Sequence, residues 1–140
     1  MKYKILIKNF ISMVLIILIS FFSIILTFIL FYFMRFDKMI LFTKKISKSL
    51  LKIFKKRRSI SEIFYYNRKV NNFLGIKSCL KICISQKIIY AFFGYKAYII
   101  NGVKKSLNSP ISGHAWIEIN NNPIIHVDDD IQGYTKSFTI

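Results

Sequence analysis

The order of patterns along the chain predicts an α+β domain, in which a helix packs on a small antiparallel sheet. Helical periodicity comes first, short alternating segments follow, and a charge-free apolar run precedes both. With 140 residues there is room for one compact domain of roughly 100 residues once that run is set aside.

Asn9 to Met34 is a stretch of 26 positions without a charge, longer than the roughly 20 needed to cross a bilayer. A cleaved signal would have a shorter apolar core followed by small residues, and Phe31-Tyr32-Phe33-Met34-Arg35 supplies none; a helix buried against the domain or a partner is the other alternative to a membrane span. Three Lys precede the run, whereas Arg35, Lys38, Lys44, Lys45, Lys48 and the cluster from Lys52 to Arg58 follow it. The positive-inside rule then sets the C-terminal part in the cytoplasm, behind a helix in the inner membrane.

From Met39 to Phe54 apolar residues alternate with Lys, which predicts a juxtamembrane amphipathic helix with a basic face, and Lys55 to Arg58 are placed to meet anionic headgroups. Ser59 and Glu62 are spaced as a capping box for a helix reaching about Asn71. After a connector containing Gly75, Ser78 stands before a mostly buried helix that ends near Gly94. Strands are expected at Tyr95 to Asn101, His114 to Ile119 and Pro123 to Asp128, with turns at Asn101-Gly102 and Asn120 to Asn122. The organisation is therefore a membrane helix (1–36), a basic amphipathic helical linker (37–70) and a catalytic domain (71–140).

The net charge is +16, and between Lys38 and Ile117 Glu62 is the single carboxylate. Such a chain favours an anionic partner or surface, unless the bias reflects only the codons of an AT-rich genome. Cys79 and Cys83, four apart, do not make a disulfide framework, and His114 and His126 cannot complete a four-ligand zinc site with them. No metal or cofactor is implied.

Cys79 follows the predicted cap, so it occupies the first turn of its helix, where unpaired amides and the helix dipole favour a thiolate. Cys83, one turn deeper, reads as packing. A thiol needs a base to act at neutral pH, and imidazole suits that task. His114 opens the segment Gly113-His114-Ala115-Trp116-Ile117-Glu118-Ile119; His126 lies in the next strand. Alternation sets Ala115, Ile117 and Ile119 on one face and His114, Trp116 and Glu118 on the other. A three-residue turn would pair Ile119 with Pro123, Ile117 with Ile125 and His114 with Asp128, which makes Asp128 the carboxylate to orient the imidazole. A solvated acidic turn, or weak cation binding, is the alternative for Asp128, Asp129 and Asp130.

The sequence Ser78-Cys79-Leu80, then Gly94-Tyr95-Lys96-Ala97-Tyr98-Ile99-Ile100-Asn101-Gly102-Val103, then the His-Ala-Trp-Ile-Glu strand resembles the transglutaminase-like (papain-like) leader peptidases of lasso-peptide biosynthesis, the microcin-processing type among them. The resemblance covers about Asn72 to Asp130. It implies a cysteine protease that removes the leader from a ribosomally made precursor peptide, with Cys79 as nucleophile and His114 as base. It also implies a separate leader-binding protein and an ATP-dependent cyclase as partners, and no nucleic acid. The Asp of that family, at its usual distance from the His, would fall on His126, so Asp128 departs from the pattern. Two other readings share the sequence: an acyl transferase or peptidase of another natural-product pathway, and a non-enzymatic basic membrane protein that binds anionic lipid or peptide.

Overall fold

The computed structural model describes residues 2–54, 58–106, 109–125 and 131–140. Among them, α1 (Lys2–Phe33), α2 (Phe36–Ile53), α3 (Ile60–Phe73) and α4 (Cys79–Phe92) precede β1 (Ala97–Ser106), β2 (Ser109–Ile119), β3 (Asn122–Ile124) and β4 (Thr135–Thr139). The strands form one antiparallel sheet in the order β3-β2-β1-β4, so the α+β class expected from the sequence is the one that forms.

α4 lies at the centre. Cys83 to Ala91 are all buried, as expected for a helix that is apolar nearly all round. The sheet covers one side through Ala115, Ile117, Ile119 and Ile99, and Ile16 and Leu30 of α1, Met39 of α2 and Ile63 of α3 join the same core. Ser78 holds the N-cap position with its carbonyl accepting the Ile82 N–H at 3.0 Å, but its side chain makes no cap bond. At the other end Tyr95 N–H donates to Tyr90 O and Gly94 N–H to Ala91 O, a Schellman stop that needs the positive φ of Gly94, +82°. The capping box expected at α3 does not form: Ser59 Oγ meets Ser61 Oγ at 2.6 Å and caps nothing.

α1 inverts the usual amphipathic arrangement. Ser12, Ile16, Ser20, Ser23, Thr27 and Leu30 are buried and recur at three- and four-residue spacing, while Phe10, Leu18, Phe22, Ile25, Ile29 and Tyr32 face outward. Small side chains let helices approach closely, and large apolar ones suit lipid. Residues Asn9–Phe33, with mean hydropathy 3.1, are long and apolar enough to cross a membrane, and 33% of the most apolar window is buried against the rest of the chain. The helix does not project away from the domain. It runs antiparallel along α4, with Lys81 Nζ over the rings of Phe28 and Phe31 at 4.8 and 5.3 Å, and Leu18 and Phe22 beside Ile88 and Phe92.

The sheet departs from the expected turns in two places. β1 runs straight through Asn101-Gly102, because Gly102 is needed in the strand rather than at a turn: a Cβ there would lie 2.7 and 2.8 Å from two ring carbons of Trp116. The β2–β3 turn has two residues, not three. Asn120 and Asn121 both take positive φ (53° and 63°), the type I′ turn whose twist matches the flanking strands. Ile117 therefore pairs with Ile124, Glu118 with Pro123 and Ile119 with Asn122, one residue off the expected register. β4 was not anticipated; it pairs with the outer edge of β1, and Ile140 closes the ladder through mutual bonds with Ile99 of 2.8 and 3.0 Å.

Lys87 and Glu118 are the charged residues buried among the described ones, each 7% exposed, and Lys87 lies on α4 itself. The Lys87 side chain bridges helix and sheet. Its ammonium donates to Ala97 O at 2.5 Å and Ile140 O at 3.3 Å, tying α4 to the start of β1 and to the last residue of the β4 edge. Burial, reinforced by Lys44 and Lys96, pulls its pKa down from 10.5 to about 8.

Two consequences are measurable. Gly102→Ala should destabilise the protein by about 1–3 kcal/mol in urea titration, since neither the indole nor the strand has room to yield. Between pH 8 and 10.5 the unfolded chain still holds the Lys87 proton that the folded chain has released. Stability should therefore rise across that window by up to about 3 kcal/mol relative to Lys87→Met, in which the rise is absent.

Candidate active site

Cys79 is the first residue of α4, where the sequence placed it, and it is partly exposed, whereas Cys83, one turn deeper, is buried, although it too lines the cavity described below. The first turn of the helix, Cys79 to Ile82, is partly exposed. Its first-turn amides have no intrahelical acceptors, so they face an approaching anion or oxyanion.

Strand alternation holds as expected. Ala115, Ile117 and Ile119 pack toward α4, and His114, Trp116 and Glu118 share the other face of β2. The His114 ring lies 6.4 Å from the Trp116 ring at 23° and 5.7 Å from that of Tyr134. Trp116 Nε1 donates to Glu118 Oε1 at 3.0 Å, and Lys136 of β4 grips both Glu118 oxygens at 2.7 and 3.0 Å. The indole is thereby fixed from behind, and it in turn fixes the plane against which the imidazole rests.

Cys79 and His114 meet at one cavity of about 220 Å³. It sits where β3 ends: Ile124 pairs with Ile117, and beyond that point β2 has no partner on this side among the described residues. The cavity is lined by residues from both faces of β2, Ala115 and Ile117 as well as His114 and Trp116. Among the described residues Cys79 and His114 make no hydrogen bond to each other. The structure brings the pair to one rim without closing it, an arrangement common in unliganded sites whose catalytic bonds tighten on substrate. Trp116 lines the cavity as well.

The third expected member, Asp128, lies outside the described residues, as do His126, Asp129 and Asp130. The pairing that tied Asp128 to His114 assumed the three-residue turn, and the two-residue turn removes that argument.

Sequence reasoning missed the far wall. Arg68, Asn71, Lys77 and Gln86 line the cavity with Cys79. Gln86 was open to discovery, since positions 79, 83 and 86 share one helix face. Asn71 was not: it is oriented by a bond from its Nδ2 to Asn67 Oδ1 at 2.8 Å, across a turn of α3 that packs on α4. Arg68 and Lys77 add basic side chains to the cavity wall.

Residues 35–139 match the family model of the transglutaminase-like superfamily, and the chain belongs to that superfamily, whose members are cysteine peptidases and acyl transferases. No curated protein and no solved structure matches the chain. The matched region begins before α2, so it takes in the basic helices as well as the Cys helix and sheet.

The support behind Trp116 is testable by a pair of substitutions. Glu118→Leu orphans a buried indole N–H and should cost about 1–3 kcal/mol in denaturant titration. Glu118→Gln keeps an acceptor for it and should cost clearly less.

Proposed function

We propose that the protein is a membrane-associated cysteine peptidase that removes the leader from a ribosomally made precursor peptide in lasso-peptide maturation. Cys79 is the nucleophile and His114 the base in this reading. The observation that carries it is the meeting of Cys79, on the first turn of a buried helix, with His114 of the His-Ala-Trp-Ile-Glu strand at one cavity. Superfamily membership supports thiol chemistry; the assignment to leader removal rests on the sequence resemblance. A leader-binding protein and an ATP-dependent cyclase are the proposed partners. The α1 helix, with its small residues inward and large apolar ones outward, supports association with the inner membrane, and the charge excess after it supports a cytoplasmic face for the domain.

In the reaction His114 takes the Cys79 proton and the thiolate attacks the carbonyl at the leader–core junction. The resulting oxyanion is held by first-turn amides of α4. As the C–N bond breaks, the imidazolium returns its proton to the departing core amine, leaving the leader as a thioester on Cys79. Water, deprotonated by the same imidazole, then hydrolyses the thioester and frees the leader carboxylate. Transfer of that acyl group to an amine instead of water would be the acyl-transferase outcome of the same site.

Full-length protein in neutral detergent, treated with iodoacetamide from pH 5 to 9, should be alkylated at Cys79. Cys79→Ala should abolish labelling and precursor cleavage, and Cys83→Ala should leave both largely intact. His114→Ala should slow cleavage by roughly 100-fold or more, the usual contribution of a positioned base. Equal loss in the two cysteine variants would overturn the nucleophile; loss in His126→Ala with His114→Ala active would overturn the base. Mass spectrometry of the leader released in the presence of glycinamide separates hydrolysis from acyl transfer.

A further inference from the structure

A second cavity, of about 290 Å³, lies on another side of α4, between α2 and the start of β1. Lys44 and Lys48, one turn apart on α2, line it with Lys87 of α4 and Lys96 of the turn before β1. The ring of Tyr98 stands between two of them, 5.5 Å from Lys87 Nζ and 5.3 Å from Lys96 Nζ. No carboxylate is among the lining residues. The described acids are engaged or placed elsewhere: Asp37 with Arg35, Glu118 with Lys136, and Glu62 on the first turn of α3.

Four ammonium groups around one cavity repel each other, and three can escape into solvent while Lys87 cannot. Its pKa is depressed, first by burial and then by Lys44 and Lys96, and its ammonium donates to the backbone oxygens of Ala97 and Ile140. A cavity lined by four ammonium groups and no carboxylate side chain does not suit a cation.

On the other side of α2 lies an apolar groove of about 330 Å³, formed by Leu18, Ile19 and Phe22 of α1, Leu50 of α2 and Ile88 and Phe92 of α4. Leu50 and Leu51 face the groove and the basic cavity respectively, as do Ile88 and Lys87. Basic cavity and apolar groove thus flank one helix, beside the outward apolar face of α1.

We propose that the lysine cavity binds a phosphate group, carried by the headgroup of an anionic lipid or present as free phosphate. The four lysines donate charge-assisted hydrogen bonds to its oxygens, and Lys87 stays protonated when the site is filled. When the phosphate belongs to a lipid, the groove across α2 receives an acyl chain. The site is independent of Cys79 and does not rest on the assignment of a peptidase.

The test uses full-length protein in dodecyl maltoside, titrated by calorimetry with inorganic phosphate and with dihexanoyl phosphatidic acid, and floated with vesicles of phosphatidylcholine alone or with one-fifth phosphatidylglycerol. Lys44→Gln/Lys96→Gln removes two exposed members of the cavity and should weaken binding at least about tenfold, the loss of one modest charge-assisted contact or more. Lys45→Gln/Lys52→Gln removes the same charge from α2 outside the cavity and should leave binding within about twofold. Saturable binding of inorganic phosphate identifies a free-ion site. Binding of the short-chain lipid and of anionic vesicles, with inorganic phosphate inert, identifies a headgroup site. Equal losses in the two double variants would reduce the effect to general charge attraction and overturn the proposal, as would the absence of saturable binding by either ligand. An independent readout is the stability rise between pH 8 and 10.5, which bound ligand should suppress in the parent protein and leave unchanged in Lys44→Gln/Lys96→Gln.

Discussion

The burial of α4 is the constraint on which the rest of the structure depends. A helix apolar on every side has to be covered on every side, and this chain does so with three helices and one face of a four-stranded sheet. Burying a Leu- or Ile-sized side chain contributes about 1.5–3 kcal/mol, so a row such as Ile84, Ile88 and Ile89 outweighs local preferences in the elements packed against it. The first turn, by contrast, is partly exposed. Cys79 sits there, where amides are unpaired, and Cys83, one turn deeper, is buried and lines the same cavity.

The sheet presents the second partner through β2. Among the described residues β3 pairs with Ile117, Glu118 and Ile119, and His114 and Trp116 stand past the edge of that pairing, lining the cavity together with Ala115 and Ile117 of the other face. The two-residue Asn120-Asn121 turn sets that register. Behind the edge, Glu118 holds Trp116 and is held by Lys136. Glu118 is 9% exposed at its side chain and Lys136 58%, so the pair is anchored at the carboxylate end and wet at the ammonium end. Its contribution lies in orienting the indole more than in net Coulomb energy.

What could be read from the sequence was what depends on neighbours along the chain. The α4 start at Ser78-Cys79, its stop at Gly94 and the alternation of His114 to Ile119 follow from local spacing, and each was legible. The failures share a cause in tertiary contact. Asn101-Gly102 has the composition of a turn, but the glycine is required by an indole fourteen positions later, and no local rule sees that contact. The turn at Asn120 differs by one residue from the expected length, and one residue is enough to move every cross-strand partner. The β4 strand is short and wholly exposed, so it carries no apolar alternation to announce it, and its place is set by Ile140 and Lys87. Asn71 reaches the site through the packing of α3 on α4, a relation that spacing alone does not encode.

α1 and Lys87 both place polarity where a soluble domain would not. In α1 the hydroxyls of Ser12, Ser20 and Ser23 are buried without partners among the described residues, and Thr27 donates back to Ser23 O, while the large apolar side chains are turned outward. In water this arrangement loses twice, by hiding polar atoms and by exposing apolar area. In lipid the second cost disappears, and the small residues gain the close approach that lets α1 lie along α4. The helix with the composition of a membrane span is also one wall of the catalytic fold, because the same core joins Ile16 and Leu30 to Ile84 and Ile88. The apolar helix and the transglutaminase-like domain are thus a single packing problem. The Cys79 end of α4 lies beside Phe28 and Phe31, near the C-terminal end of α1, which leads into the basic helix α2.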